Sequence, residues 1–180
     1  MTVFAAVCVP LVAALTFSLW LAARPFGSVR WKLACLSALT SAALALVGNQ
    51  VIAHLWERER PFSAHPGSTH LLAAASPDPS FPSDHAAAAF AIAVAVLAFS
   101  RPLGGFMLAL ATAIGVSRVA LGVHYPGDVL AGAFVGTVAA LLVLGPGRPW
   151  VIRATALLSR VSDPVLQHLR RRLRRAWTSR

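Results

Sequence analysis

The chain has 180 residues, of which 57% are hydrophobic and only 12% are charged, and its mean hydropathy is +0.69. This composition is typical of an integral membrane protein, and the length suits one small helical bundle rather than two domains. The net charge of +10 could indicate a nucleic-acid partner, but most basic residues lie at the ends of apolar segments and in the tail, which argues against one.

Five apolar segments follow one another along the chain and predict an all-α bundle of about five transmembrane helices. The first covers residues 3–23 and has no basic residue before it, so it is not expected to be a signal peptide. The second, from about Leu33 to Trp56, is followed after a loop by the third, which is short for a bilayer. The third to fifth segments cover 85–100, 103–121 and 126–144. A turn is expected at 101–105, and Gly132 and Gly136 have the spacing of close helix packing.

Two segments of the chain are too polar to span a membrane. The loop from Glu57 to Ser83 is rich in proline and in charged residues. The tail, 148–180, has apolar residues at helical spacing between arginines, which predicts a basic amphipathic helix on the membrane surface. A nucleic-acid arm and a merely solvated tail are the alternatives. The sequence thus divides into a membrane-embedded bundle, 1–147, and a cytoplasmic tail, 148–180.

The distribution of basic residues predicts the orientation of the bundle. Five spans put Arg24, Arg30, Lys32, Arg101 and the arginine-rich tail on one face. The positive-inside rule makes that face cytoplasmic, so the loop after the second span and the turn around His124 are expected outside.

The stretch from Ser117 to Asp128 places an arginine, a histidine and an aspartate between two long apolar segments. Such groups are costly there unless they act together or face water. His124 and Asp128 are four residues apart, so a helix that begins near Pro126 lets the carboxylate reach an imidazole nitrogen. That contact would make the other ring nitrogen a better nucleophile, and Arg118 offers a fork of donors suited to phosphate. Taken alone, the stretch equally fits a helix end followed by a turn.

Other polar groups are expected at the same face, and they favour a functional site over a helix end followed by a turn. They come from the segment 57–62, which contains Arg58 and Arg60, and from the segment 81–85, which contains Ser83 and His85. Two helices would also begin there, and their free N–H groups favour an anion. Together these groups suit a phosphate and the extra charge of a pentacoordinate transition state.

Three ordered motifs, within residues 56–132, resemble the signatures of the type-2 phosphatidic acid phosphatase superfamily, which includes bacterial undecaprenyl-diphosphate phosphatases and vanadium haloperoxidases. The third family motif, Ser-Arg-x5-His-x3-Asp, is complete here in Ser117, Arg118, His124 and Asp128. The second, at 82–85, reads Pro-Ser-Asp-His, with aspartate where the family usually has glycine. The first keeps Arg60-Pro61, but its lysine position holds Ala53.

The resemblance implies a role for each matching residue. His124 would be the nucleophile that becomes phosphohistidine, Asp128 its orienting partner, and His85 the general acid that later activates water. Arg60, Arg118 and Ser83 would bind the phosphate, and Arg58 is the candidate to replace the missing lysine. Asp84 belongs to this phosphate-binding set, with its carboxylate expected to point away from the anion or to cap the third helix. No metal or cofactor is expected.

The sequence therefore predicts a membrane lipid phosphatase with an undecaprenyl-type diphosphate as its first-ranked substrate. Phosphatidic acid, phosphatidylglycerol phosphate and other polyprenyl-phosphoryl lipids remain open. The partners would be that lipid and a bilayer whose anionic lipids contact the basic tail, without nucleic acid. A haloperoxidase and a non-catalytic lipid-binding or transport protein rank lower, as does a zinc site at His54, His65 and His70, whose spacing is irregular.

Overall fold

The computed structural model describes residues 12, 14, 16–23, 29–65 and 77–178, with 172–178 described by backbone alone. Throughout these residues the fold is helical and contains no strand, which confirms the all-α prediction. The elements in chain order are α1 (16–22), α2 (Arg30–Leu55), α3 (Pro61–Ala64), α4 (Asp84–Leu97), α5 (Arg101–Ala120), α6 (Pro126–Leu144) and α7 (Arg148–Thr178).

Three of the described helices, α2, α5 and α6, are long and apolar enough to cross a membrane. The central helix α4 is apolar but has only 14 residues, so it extends over about 21 Å, compared with about 30 Å for a hydrocarbon core. The first predicted segment lies mostly outside the described residues. The count of five spans therefore stays a prediction.

Two boundaries differ from the sequence prediction. The stretch expected to be a turn, 101–105, is the first part of α5. Pro102 fits there because the first turn of a helix needs no N–H from it. Gly104 is required by the tight α4–α5 connection, since a Cβ at this position would lie 2.2 Å from Leu97 Cα. The polar loop also contains the short helix α3, which was not predicted.

Helix α4 packs against α2, α5 and α6 and forms the centre of the bundle. Most of its buried side chains are alanines, so neighbouring backbones come close. A Cβ at Gly132 would lie 2.4 Å from the Ser83 carbonyl oxygen, and one at Gly136 would lie 2.2 Å from that of Ala87. The predicted close packing at these two glycines is thus confirmed, and it fixes the start of α6 against the start of α4.

Helix α7 packs on the end of the bundle where α2 begins. The Lys32 ammonium and the Asp163 carboxylate form a buried ion pair, and Lys32 Nζ also lies 3.3 Å from Ser159 Oγ. Closer to the C-terminal end of α7, Arg170 Nη2 donates to the carbonyl oxygens of Leu21 and Ala23 at 2.6 and 3.1 Å. From Thr155 to Arg170, the face of α7 on the bundle is therefore largely polar. Its apolar residues Leu158, Val161, Val165 and Leu169 are exposed.

Candidate active site

A cavity of about 530 Å³ lies at the end of the bundle where α2 ends and α4 and α6 begin. Residues from all three motif segments line it, which confirms that the fold brings these segments together. The lining residues are Gln50, Ala53, His54, Glu57, Arg60, Asp78, Pro79, Pro82, Asp84, His85, Arg118 and His124.

The imidazole of His124 is buried and held by a backbone group. Its Nδ1 lies 2.8 Å from the Ser80 carbonyl oxygen, which can only accept, so Nδ1 carries the proton. In the neutral ring, the lone pair is then on Nε2. Asp128 Oδ2 is 3.7 Å from Nδ1, which is too long for a hydrogen bond. The direct carboxylate–imidazole bond that the spacing predicted is thus replaced by the Ser80 carbonyl.

The Asp128 carboxylate is fully buried and joins the loop at Ser80 to the start of α6. Oδ2 accepts from Ser80 Oγ at 2.5 Å and from the Tyr125 backbone N–H at 2.9 Å. Tyr125 is the N-cap of α6 and Pro126 is its first residue, which confirms the predicted start of this helix. The bond from the Tyr125 N–H to Asp128 caps the helix, a role that was not predicted. The Asp128 carbonyl oxygen accepts from the Ser83 N–H at 3.0 Å. Asp128 therefore fixes the loop at Ser80, the start of α4 and the start of α6 together.

Arg58 lies on the outer side of this junction rather than in the cavity lining. Its Nη1 donates to Asp128 Oδ1 at 2.9 Å, and its guanidinium lies 4.1 Å from the centroid of the Tyr125 ring. The side chain is 41% exposed. In this position, the group proposed to replace the family lysine acts on the carboxylate of Asp128.

Arg60 is buried at the cavity wall, where its guanidinium binds the carbonyl oxygens of two loops. Nε donates to Asp78 at 2.8 Å, and Nη1 donates to Val123 at 3.2 Å. Burial lowers the pKa of Arg60 from its ordinary value, opposed by the carboxylates of Asp78, Asp128 and Asp84. An arginine has enough margin to stay protonated, so a fixed positive charge remains at the wall.

Two buried donors near the cavity have no hydrogen-bond partner among the residues that the structure describes. They are Arg118 Nε and the hydroxyl of Ser83, a residue with no exposed surface. Buried polar groups are nearly always satisfied in folded proteins. Arg118 lines the cavity, and Ser83 is absent from the lining but lies between the lining residues Pro82 and Asp84, so an acceptor that enters the cavity is a candidate partner for these donors.

Asp84 replaces the family glycine and is held by the end of α2. Its Oδ1 accepts from Asn49 Nδ2 at 2.8 Å, and its Oδ2 accepts from Gln50 Nε2 at 3.1 Å. No side-chain cap is formed at Ser83, the N-cap of α4. Of the two expected outcomes, the carboxylate is therefore directed to α2 rather than used as a cap.

His85 and His124 line the same cavity from different elements, α4 and the turn before α6. His54 lines it from α2, whereas the described His65 is absent from the lining, and His70 is outside the described residues. Among the described residues, no group of three or more histidine, cysteine, aspartate or glutamate side chains is arranged to hold a metal ion.

Sequence reasoning missed Ser80, which is fully buried and holds both His124 and Asp128. It lies in the proline-rich loop, three residues before Ser83, and belongs to no motif that was identified. Ser80 holds His124 through its backbone carbonyl, which any residue would supply. No signal in one sequence therefore distinguishes Ser80 from the other polar loop residues.

Comparisons with known proteins show the family to which the chain belongs. Residues 34–145 match the PAP2 superfamily. The chain is 31% identical over 137 residues to bacitracin transport permease protein BcrC of Bacillus licheniformis, with 75% of this chain and 67% of that protein covered. It is 34% identical over 130 residues to undecaprenyl-diphosphatase BcrC of Bacillus subtilis (strain 168), with 72% and 64% covered. The crystal structure of Aquifex aeolicus LpxE superposes with a TM-score of 0.60 at 26% identity, covering 79% of this chain and 84% of that one.

The helical bundle and its cavity of histidines and arginines define a membrane lipid phosphatase, a hydrolase of phosphoric esters or anhydrides. The chain belongs to the PAP2 superfamily, and the relatives it resembles include an undecaprenyl-diphosphatase.

Proposed function

We propose that the protein hydrolyses a polyprenyl diphosphate of the undecaprenyl type through a phosphohistidine on His124, at the extracytoplasmic face of the membrane. One observation carries the proposal: three histidines and two arginines line one cavity beside two buried donors without a described partner, Ser83 Oγ and Arg118 Nε. Unsatisfied buried donors are costly, so an anion that accepts from them is bound favourably.

The first step forms the phosphoenzyme. The Nε2 lone pair of His124 attacks the terminal phosphorus, and the bond from that phosphorus to the bridging oxygen breaks. His85 gives its proton to the departing oxygen of the lipid monophosphate. In the second step, His85 takes a proton from water, whose oxygen attacks the phosphorus. The P–N bond then breaks, inorganic phosphate leaves, and the electron pair returns to His124.

The arginines and the Ser83 hydroxyl act on the charge that develops on the phosphoryl oxygens. Arg60 is held by backbone carbonyl groups and needs no large rearrangement before it contacts the anion. Arg118 and Ser83 supply further donors, and the N-terminus of α4 favours negative charge nearby. Asp84 lies next to Ser83 in the chain, and it is a neighbour of the anion rather than a ligand. Asp128 is a positioning residue that acts through Ser80.

The choice of a polyprenyl diphosphate over other lipid phosphates depends on likeness to relatives. The Bacillus subtilis relative is an undecaprenyl-diphosphatase, and this chain spans 64% of that protein. Phosphatidic acid, phosphatidylglycerol phosphate and other polyprenyl-phosphoryl lipids are the alternative substrates of the same site. Phosphate release from a panel of these lipids in detergent distinguishes them.

The arrangement of charge supports an extracytoplasmic active site. Arg30 Nε donates to the Phe99 carbonyl oxygen at 2.9 Å, which joins the basic start of α2 to the end of α4 remote from the cavity. Basic residues are enriched on cytoplasmic faces, so the cavity lies at the outer face and the tail inside. Reporter fusions after residues 70 and 150 should lie on opposite sides of the membrane. The same side for both would refute this orientation.

The tail is proposed to lie on the cytoplasmic surface with its apolar stripe in the bilayer. The polar face of α7 is occupied by the bundle, and Val161 is 74% exposed on the stripe that remains. Arginines of α7 would then contact anionic headgroups. In nanodiscs that contain phosphatidylglycerol, a single cysteine at position 161, with Cys8 and Cys35 replaced, should resist a water-soluble thiol reagent, and one at Arg160 should react. Equal reaction of both would contradict this placement.

The reaction is tested by separating the two histidines. His124→Ala should abolish turnover and the phosphoenzyme. His85→Ala should slow turnover by a factor of roughly 10² to 10⁴, which is the usual contribution of general acid–base catalysis. With an activated phenyl phosphate, which needs little acid assistance, His85→Ala should accumulate phosphohistidine because water attack lacks its base. Label that persists in His124→Ala would show that the nucleophile is another residue.

A further inference from the structure

The cavity extends beyond the pair His85 and His124 to the end of α2. Gln50, Ala53 and His54 line it from α2, whereas His124 lines it from the turn before α6 and is only 4% exposed. The volume of about 530 Å³ corresponds to roughly 18 water molecules at ~30 Å³ each, which is ample for two linked phosphates. The deep part can therefore hold a terminal phosphate while a second phosphate lies at the α2 side.

The fixed charges of the lining do not favour a diphosphate. Two arginines face three carboxylates, those of Glu57, Asp78 and Asp84, and the family lysine position is Ala53. With neutral histidines, these lining residues carry a formal charge of −1. A diphosphate therefore requires a further positive charge on the α2 side, close to the position where the lysine is missing.

His54 has the geometry to supply that charge. Its Nδ1 lies 2.7 Å from the Gln50 carbonyl oxygen, one turn earlier in α2, so Nδ1 carries a proton. No described residue binds Nε2. The neutral ring offers a lone pair there, which repels a phosphate oxygen, whereas the imidazolium offers an N–H donor. His54 therefore favours an anion only in its protonated form.

The surroundings of His54 also indicate which phosphate it meets. The next residues, Leu55 and Trp56, are 82% and 66% exposed, and they are apolar or amphipathic side chains at the end of a candidate span. Such an apolar rim suits the first part of a lipid chain. The phosphate that carries the lipid is then beside His54, and the terminal phosphate is beside His124.

We propose that protonated His54 forms a subsite for the lipid-bearing phosphate of a diphosphate and makes the enzyme prefer diphosphates to monophosphates. This inference rests on the proposed phosphatase function. A monophosphate transferred to His124 places no phosphate at His54, so His54 contributes little to its hydrolysis. The charged and titratable groups that line the cavity together with His54 are Glu57, Arg60, Asp78, Asp84, His85, Arg118 and His124.

The experiment compares farnesyl diphosphate with farnesyl monophosphate on the full-length protein in detergent. In His54→Gln, kcat/KM for the diphosphate should fall on the order of tenfold, since a hydrogen bond to a charged group is lost, while the value for the monophosphate stays within about twofold. His168→Gln, at an exposed histidine of α7, is the matched control and should change neither value. Equal losses for both substrates in His54→Gln, or no loss for either, would overturn the inference.

Charge rescue gives a second readout. His54→Lys should keep the preference for the diphosphate, and Ala53→Lys should restore it to His54→Gln. If His54→Lys loses the preference for the diphosphate, as His54→Gln does, this result would refute a role for positive charge at position 54. If the wild type releases phosphate from neither substrate, or if His124→Ala still forms a phosphoenzyme, the proposed function itself fails.

Discussion

The contact between Arg58 and Asp128 indicates that Arg58 positions Asp128 rather than binding the substrate. Arg58 Nη1 is 2.9 Å from a carboxylate oxygen of Asp128, which is fully buried, but the arginine is 41% exposed. A hydrogen bond to a charged group contributes about 1.5–3 kcal/mol, and solvent screening at this exposed arginine brings the expected value to about 1–2 kcal/mol. Loss of the contact in Arg58→Gln should therefore reduce kcat about 5- to 30-fold.

A double-mutant cycle tests this assignment. Phosphate release from farnesyl diphosphate is measured for the wild type, Arg58→Gln, Asp128→Asn and the double variant. If Arg58 acts through Asp128, the double variant should match Asp128→Asn within about twofold, and the loss in Arg58→Gln should be in kcat. Arg101→Gln, an exposed arginine at the opposite end of the bundle, is the control. Multiplicative losses together with a selective rise in KM would show that Arg58 contacts the substrate directly, as the sequence analysis expected.

Three further predictions test the chemistry and the packing. Chelators should leave activity intact and vanadate should inhibit, because the proposed reaction uses no metal and passes through a pentacoordinate phosphorus; loss of activity in EDTA that zinc or magnesium restores would contradict it. Gly136→Val should destabilise the bundle by several kcal/mol, since a Cβ there meets the Ala87 carbonyl at 2.2 Å; thermal unfolding in detergent measures this, with the open position Gly105→Ala as control. Asp163→Leu should destabilise by about 3–5 kcal/mol by leaving Lys32 buried without its carboxylate, and Lys32→Met in the same chain should recover much of the loss; a double variant no more stable than the single one would argue against the ion pair.

The helices were predicted from local patterns in the sequence. The site was predicted from residue types at fixed spacings. The fifth segment was expected from Pro126 to about Leu144, which are the observed ends of α6. Helix α5 was expected two residues too late, because Arg101-Pro102 can begin a helix as readily as it can form a turn. Periodicity alone does not distinguish these two cases.

The parts of the site that could not be predicted depend on backbone groups and on long-range contacts. The carbonyl of Ser80 orients His124, and the carbonyl of Val123 holds Arg60. The identity of a side chain does not indicate such bonds to backbone carbonyls. In α7, the apolar stripe was visible in the sequence, but its packing through Asp163 was not, because a single aspartate in a basic helix does not identify Lys32 as its partner.

The hydrogen bond from His124 to the Ser80 carbonyl has a consequence for the isomer of the intermediate. Phosphohistidine exists as two regioisomers, with phosphorus on either ring nitrogen, and they differ in lability and in antibody recognition. Because Nδ1 is engaged by the Ser80 carbonyl at 2.8 Å, only Nε2 is available for bond formation. The trapped intermediate of His85→Ala should therefore be the tele isomer alone, and antibodies specific for the pros isomer should not bind it.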